Sequence, residues 1–435
     1  MDILNINDCI IVDIDGINQY GNGFGEYKDY IIEVPKSNPG EKVKVEIKKI
    51  NEKDKIITAS LIEIIRESKN RINRCNINNC LFCKSPNLLY EEKIAIKKRF
   101  IESIYNLEFI GFKVDYKFKN FITLYSRVIN NNVKLGFLDK NRDLFVETID
   151  CPLYTDNIRD ILVKNIDIIN NSLNLEAKKS IYKISLYYSE YEKTSLLVIE
   201  LYKNSDISFF KDLKLEVTSF YIKSGPLFFI NYDKFIIEKI DELDLKYRID
   251  PYNKIEEREL NSKILTTLNS IFKKIVPQKS LVIHANNGLT TLLAARCSKI
   301  VYSVEKSLSL VRDILFNLKL NKVENVIVLK QKIESIIEKN TEIIKDIDTI
   351  ILHSINSDDI ESIAKIANNE NVRNIIIVTH LEYLKNYIEV LSKSGFIFNK
   401  NNSYAIDRDP NNYYIETVLS FKRENNFKLK IRIKK

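Results

Sequence analysis

The chain has 435 residues, 45% of them apolar and 29% charged, proportions that exclude a disordered chain or a fibre. One compact core rarely serves so many residues, so two or three domains are expected. The 67 Lys and Arg against 59 Asp and Glu leave a formal charge of +8, which permits a polyanionic partner without demanding one.

No run approaches the roughly 18 apolar residues that cross a bilayer, and Met1-Asp2-Ile3-Leu4-Asn5 lacks the basic start and apolar stretch of a signal peptide. No membrane partner is expected, and the cytoplasm is the expected compartment. Ile, Lys and Asn abound while Trp is absent, a pattern of genomic base bias, so single Lys or Asn residues carry little weight.

The first 65 residues alternate polar and apolar in short runs broken by glycine turns. Ile10-Ile11-Val12, Gly21-Asn22-Gly23-Phe24-Gly25, Tyr30 to Val34, Val43 to Ile47 and Ile56 to Leu61 predict five short strands and a small barrel of the oligonucleotide-binding kind. Gly-x-Gly-x-Gly, an extended strand, Pro39-Gly40-Glu41 and Val-x-Val-x-Ile in that order resemble the TRAM domain, an RNA-binding barrel attached to RNA-modifying enzymes. Tyr20, Phe24 and Tyr27 around the glycine turn are suited to stacking on RNA bases.

Next comes Cys75-Asn76-Ile77-Asn78-Asn79-Cys80-Leu81-Phe82-Cys83, with Cys151-Pro152 far downstream. In a reducing compartment clustered thiols point to a metal or to redox work rather than to disulfides. Four thiolates can hold a tetrahedral zinc or a cubane iron-sulfur cluster; three clustered cysteines and one remote suit [4Fe-4S] better than the paired C-x-x-C of zinc ribbons, with unliganded thiols as the third reading. Cys9 and Cys297 sit singly in apolar surroundings and read as small buried hydrophobes.

Tyr90 to Tyr105 reads as a helix. Longer strands such as Leu196 to Leu201, with helical Asn157 to Leu173 among them, make the middle of the chain an α+β domain. From about residue 250, helices alternate with apolar runs at Ser280 to Ile283, Ile300 to Val304, Val326 to Leu329, Thr349 to Leu352 and Asn374 to Val378. Such alternation predicts a doubly wound Rossmann-like sheet. The fold class is thus α/β multidomain: a barrel in 1–65, a cysteine-cluster segment and central α+β domain in 66–248, and a doubly wound domain in 249–435. At the end, Phe427 to Lys435 alternates strictly, placing Lys428, Lys430, Arg432 and Lys434 on one face of a strand, as edge protection or for phosphate.

The order of barrel, three-cysteine cluster, remote Cys-Pro and doubly wound domain resembles the bacterial uridine-5 RNA methyltransferases over nearly the whole chain. Leu135-Gly136-Phe137, Ile149-Asp150-Cys151-Pro152-Leu153, Val301-Tyr302-Ser303-Val304-Glu305, Asn317-Leu318-Lys319-Leu320-Asn321 and Tyr414-Ile415-Glu416-Thr417-Val418 carry the likeness. It implies RNA as partner, ribosomal or transfer, S-adenosylmethionine as cofactor, and a [4Fe-4S] cluster on Cys75, Cys80, Cys83 and Cys151. In that family's chemistry a cysteine thiolate adds to C6 of uracil, the enolate takes the methyl group, and a glutamate removes the C5 proton.

Residue by residue the match is uneven. Gly288 and Glu305 fall on the cofactor positions, but Asn286 stands for the other glycine, Val282 for the loop acid, Glu256 for an upstream glutamine and Gln331-Lys332 for a Gly-Asp. His353-Ser354-Ile355-Asn356 stands where Asp-Pro-Pro-Arg is usual. The nucleophile string aligns with Thr379-His380-Leu381-Glu382, so His380 occupies the cysteine position, while Glu416 keeps the base position. The cysteine run is one residue shorter than usual, with Leu81-Phe82 for Gly-Gly. His284, His353 and His380, the three histidines of the chain, all follow strands; they read as a metal site or as coincidental loop residues.

The expectation is a monomeric RNA-binding protein whose methyl transfer is lost or strongly weakened. The alternatives are an active S-adenosylmethionine-dependent enzyme with atypical catalytic residues, and an iron-sulfur structural or redox-sensing module.

Overall fold

A computed structural model describes residues 4–77, 80, 82–85, 87–138, 144–225, 227–232, 236–250, 258–339, 341–353 and 359–424. The alternating N-terminal pattern folds into a six-stranded sheet in the order Cys9–Asp13, Lys42–Asn51, Ile56–Arg66, Tyr30–Val34, Gly23–Tyr27 and Gly16–Ile17. Its inner face is Val12, Ile32, Val34, Val43, Val45, Ile47 and Ile57, every second residue of each strand. The glycine stretch is not only a turn: from Gly23 it is a strand. That strand runs so close to the first that a Cβ on Gly25 would lie 2.0 Å from the Asp13 carbonyl oxygen. Cys9, expected to be buried, is exposed, because it falls on the outward phase of its strand.

The middle of the chain contributes a seven-stranded sheet in the order Phe145–Glu147, Asn132–Leu138, Phe121–Ile129, Ile181–Ser189, Thr194–Leu201, Ser219–Ser224 and Leu227–Tyr232. One face is covered by the helix Asp156–Ser172, whose start is capped by Thr155 accepting from the Ile158 amide. Ile158, Leu162, Ile166 and Ile169 fall at helical spacing and pack on Leu124, Ile184, Leu186 and Ile199.

The C-terminal sheet runs Val326–Lys330, Ile300–Glu305, Lys279–Ile283, Thr349–His353, Asn374–His380, Ile415–Arg423, Tyr404–Asp407 and Glu108–Ile110. All five apolar runs read from the sequence are parallel strands. Ile415–Arg423 is antiparallel and lies between Asn374–His380 and Tyr404–Asp407. The chain reverses its winding between Lys279–Ile283 and Thr349–His353, where doubly wound folds open a crevice at their strand ends.

Two earlier elements join this sheet. Glu108–Ile110 pairs in parallel with Tyr404–Asp407, and the helix Tyr90–Tyr105 before it packs through Ile101 into the core formed by Leu281, Ile350, Ile375 and Leu419. Among the described residues no helix is long and apolar enough to cross a membrane. The basic stretch 427–435 lies outside the described residues.

Candidate functional site

The strand Asn374–His380 ends opposite the start of Ile415–Arg423, in a register that pairs His380 with Glu416. Arg408, just past the strand Tyr404–Asp407, reaches between them. Its Nη1 lies 2.7 Å from His380 Nε2 and 3.4 Å from Glu416 Oε2, and the imidazole nitrogen is 3.7 Å from that same carboxylate oxygen. A guanidinium has only donors, so His380 Nε2 accepts and the ring carries its proton on Nδ1. The nucleophile and base positions are therefore brought together, with a third residue that the sequence did not single out.

Of these groups His380 borders a cavity of about 530 Å³, which is also lined by Tyr20 from the turn between Gly16–Ile17 and Gly23–Tyr27, Phe100 and Tyr105 from the helix Tyr90–Tyr105, and Tyr413 and Tyr414. Of the three barrel aromatics, Tyr20 lines it and is 63% exposed. Phe24 instead lies over Gly16, and Tyr27 packs on the barrel core.

The stretch from Asp407 to Asn412, which leads into the cavity-lining Tyr413 and Tyr414, is held by two buried lysines, of which Lys97 also lines the cavity. Lys97 Nζ donates to Asp407 Oδ1 and Oδ2 at 2.9 and 3.0 Å and to the carbonyls of Asp409 and Pro410 at 2.9 and 3.2 Å. Burial pushes the Asp407 carboxyl above its ordinary value, and the Lys97 charge opposes that shift. Lys93 Nζ meets Asp115 at 2.8 Å and Asn411 Oδ1 at 2.6 Å, and burial holds its ammonium below the ordinary lysine value despite the Asp115 bond. The only local signal was their spacing: Lys93, Lys97 and Ile101 recur every four residues, so the lysines occupy a stripe meant for apolar side chains.

Two strands along, at the same carboxyl edge of the sheet, the loop from His284 to Gly288 joins Lys279–Ile283 to the helix Leu289–Cys297. Backbone φ is +53° at His284, +51° at Asn286 and +89° at Gly288. Asn tolerates this left-handed conformation better than most side chains, so Asn286 can stand where a glycine was expected. Gly288 has no such substitute, since a Cβ there would come 3.2 Å from the Ile314 backbone. Glu305 is 3% exposed, and its two oxygens accept from the amides of Asn286 at 3.1 Å and Ser307 at 2.9 Å. Asn317 supports the same loop by donating to the Asn287 carbonyl at 2.8 Å, while its Oδ1 takes the Arg248 amide. Val282 is fully buried in apolar packing. A smaller cavity of about 220 Å³ beside this loop is lined by His284, Lys306, Gln331, Lys332 and Asp359 among others. Glu256 and residues 354–356 lie outside the described residues.

The histidines do not share one site. His284 Nε2 is 2.9 Å from Asp359, at the head of the helix Ile360–Ala367, whereas His380 meets Arg408 and His353 ends its own strand. The Asp359 bond raises the His284 value above the ordinary one, with burial working against it. The stability this pair contributes is complete below about pH 6.5 and lost as pH rises through the raised folded value. In Asp359→Asn the carboxylate is gone and burial remains, so His284 should titrate below its ordinary value; an unchanged NMR titration would show that Asp359 is not the cause.

The four cysteines of the cluster motif lie near enough to act on one another electrostatically. Cys83 is pushed well up by burial and then by Asp409 and the other three thiols. Cys151 is pushed up to about 12 by burial, with Cys75 and Cys80 adding repulsion. Asn87 clamps Cys75, accepting from its amide at 2.9 Å and donating to its carbonyl at 3.2 Å. Phe82, where the family has glycine, stacks on Phe137 with ring centroids 4.6 Å apart. The same segment touches the cavity wall, because the Lys84 amide donates to the Asn411 carbonyl at 2.9 Å. Among the described residues no three groups of ligand type lie close enough to hold a single metal ion.

No protein-family model matches the chain. It is 22% identical over 457 residues to an uncharacterized RNA methyltransferase of Fusobacterium nucleatum, covering 96% of each chain. A second relative, an uncharacterized RNA methyltransferase of Clostridium acetobutylicum, is 26% identical over 164 residues, 34% of this chain and 35% of that one. Among solved structures, the tRNA (uracil-54, C5)-methyltransferase of Pyrococcus abyssi in complex with S-adenosyl-L-homocysteine superposes with a TM-score of 0.72 and 17% identity. That match covers 95% of this chain and 100% of the other. At such identity the likeness shows the fold.

Proposed function

We propose that this chain is an RNA-binding protein built on the uridine-5 RNA methyltransferase architecture, in which the aromatic cavity receives an unpaired base of a ribosomal or transfer RNA and methyl transfer to C5 is lost. The observation that carries this reading is the Arg408 hydrogen bond to His380 Nε2. Where the reaction needs a thiolate, this chain offers a neutral imidazole whose lone pair is already engaged by a guanidinium, and such a nitrogen is a poor nucleophile. The relatives named RNA methyltransferases support the RNA partner. In this reading residues 1–65 are a TRAM barrel, 66–248 the cluster segment and central domain, and 249–435 the methyltransferase-type domain.

S-adenosylmethionine, when bound, supplies an electrophilic methyl group, and Gly288, Glu305 and Glu256 are the positions that would hold it. The backbone cradle at Asn286 and Gly288 fits such a ligand. The polar set does not: Val282 is apolar and buried, and Glu305 is occupied in tying Asn286 to Ser307. No methyl-transfer step is therefore assigned to these residues. The retained Glu416 beside His380 is what favours the alternative of an active enzyme.

A [4Fe-4S] cluster on Cys75, Cys80, Cys83 and Cys151 belongs to this reading through the family resemblance alone, since among the described residues no three groups of ligand type lie close enough to hold a metal ion. Protein purified without oxygen should be brown with about four irons per chain, and Cys151→Ser should lose most of the colour. Stoichiometric zinc without iron would refute the assignment.

For the cavity, a single-stranded RNA bearing an unpaired uridine should bind with salt-sensitive affinity. Tyr20→Ser should weaken binding about ten-fold by removing one stacking surface. Equal affinity of the variant and the parent would exclude Tyr20 from base binding.

A further inference from the structure

Among the described residues, half of one face of the central seven-stranded sheet is only partly covered, the side chains of Lys183, Glu200 and Lys223 keeping 29%, 27% and 45% exposure. Register puts Tyr125, Lys183, Glu200 and Lys223 in line across four neighbouring strands: Lys183 pairs with both Tyr125 and Glu200, and Glu200 pairs with Lys223. Further along the same side, Tyr187, Leu196, Val198 and Tyr221 are buried against the core of the C-terminal part. The opposite face is closed by the helix Asp156–Ser172. The open half thus lies next to a packed half of the same sheet.

Its composition is unlike a merely solvated surface. Tyr125, Tyr182 and Tyr202 run side by side, with ring centroids 5.4 and 5.2 Å apart. Strict alternation would send Tyr182 to the helix-covered face with Ile184. The register instead shifts between Ile181 and Lys183, and this bulge brings Tyr182 round beside Tyr125. Tyr202 is 51% exposed. Around the tyrosines stand Lys183, Lys223, Arg127 and, directly across from Arg127, Lys134. Among the described residues the two carboxylates on this strip are Glu200, 3.2 Å from Lys183 and 3.8 Å from Lys223, and Glu147, 3.2 Å from Lys134. Four cations against two carboxylates leave the strip positive.

We infer that this open half-face is a second RNA-binding surface, a platform on which bases of a single strand stack on Tyr125, Tyr182 and Tyr202 while its phosphates run along the lysines and Arg127. Stacking tolerates any base and cations track the backbone, so the strip suits a single strand without sequence preference. A duplex keeps its bases paired inside and would gain nothing from the tyrosines. The inference rests on the RNA-binding reading above but uses residues remote in sequence from the cavity.

The test uses the full chain and a fluorescein-labelled single-stranded oligouridylate, followed by anisotropy, with a duplex of equal length for comparison. Tyr125→Leu/Tyr202→Leu should bind the single strand about ten-fold more weakly, Tyr125→Phe/Tyr202→Phe should bind as the parent does, and Lys183→Glu/Lys223→Glu should flatten the salt dependence. The Leu and Phe pairs keep apolar bulk, so a loss seen with Leu alone reports the ring face rather than folding. If Tyr20→Ser weakens binding while the sheet variants match the parent, the platform is refuted and the cavity reading stands. If the sheet variants weaken binding and Tyr20→Ser does not, the cavity reading falls and the platform stands. A parent protein that binds no single strand, or binds the duplex equally well, overturns the platform.

Discussion

Incubated with S-adenosylmethionine and an unmodified RNA that a competent uridine-5 methyltransferase converts, this chain is expected to form no detectable 5-methyluridine. Uracil C5 gains carbanion character only after a nucleophile adds to C6, and His380 with its Nε2 facing Arg408 provides none. Loss of a covalent nucleophile costs about a million-fold in a serine protease, enough to take the reaction below detection here. His380→Cys alone should not restore it, because Val282 remains buried and apolar in the cofactor loop and Glu305 remains tied to Asn286 and Ser307. Radiolabelled methyl groups mapped to 5-methyluridine with the parent protein would return the chain to the active enzymes and make Arg408 a catalytic partner.

The second large effect belongs to Lys97. Lys97→Met should destabilise the protein by about 3–5 kcal/mol, the usual result of leaving one member of a buried ion pair without its partner. Asp407 would be left buried without its countercharge, and the carbonyls of Asp409 and Pro410 would lose their shared donor. Because Lys97 lines the cavity and that stretch leads into Tyr413 and Tyr414, RNA affinity should fall together with the urea midpoint. Replacing both charges, as Lys97→Met/Asp407→Leu, should recover part of the stability, since an apolar pair of similar volume escapes the desolvation penalty while the carbonyls of Asp409 and Pro410 still lack their donor. A single variant within about 1 kcal/mol of the parent would mean that water or a neighbouring group supplies the missing charge.

Much of the fold was legible in the sequence because burial periodicity is local. The run Leu281 to Ile283 is apolar at every position because a parallel strand is covered on both faces, and the alternation in Val43 to Ile47 marks a strand with one face in the core. The helix Tyr90–Tyr105 came out with the bounds read from its pattern. The candidate site was legible only as positions. His380 and Glu416 could be named from the flanking strings, but Arg408 stands 28 residues from His380, and nothing near it marks it as the group that fixes the imidazole tautomer.

By itself, then, the sequence determined which stretches become strands and helices, because each depends on side chains a few residues apart. The tertiary structure alone decided that Glu108–Ile110 extends the C-terminal sheet, that Lys97 finds Asp407 across 310 residues, and that Tyr20 meets Tyr413 at one cavity. These contacts join residues with no periodic relation. Each depends on the packing free energy of the whole chain, which draws a buried charge to the one partner that can offset its desolvation.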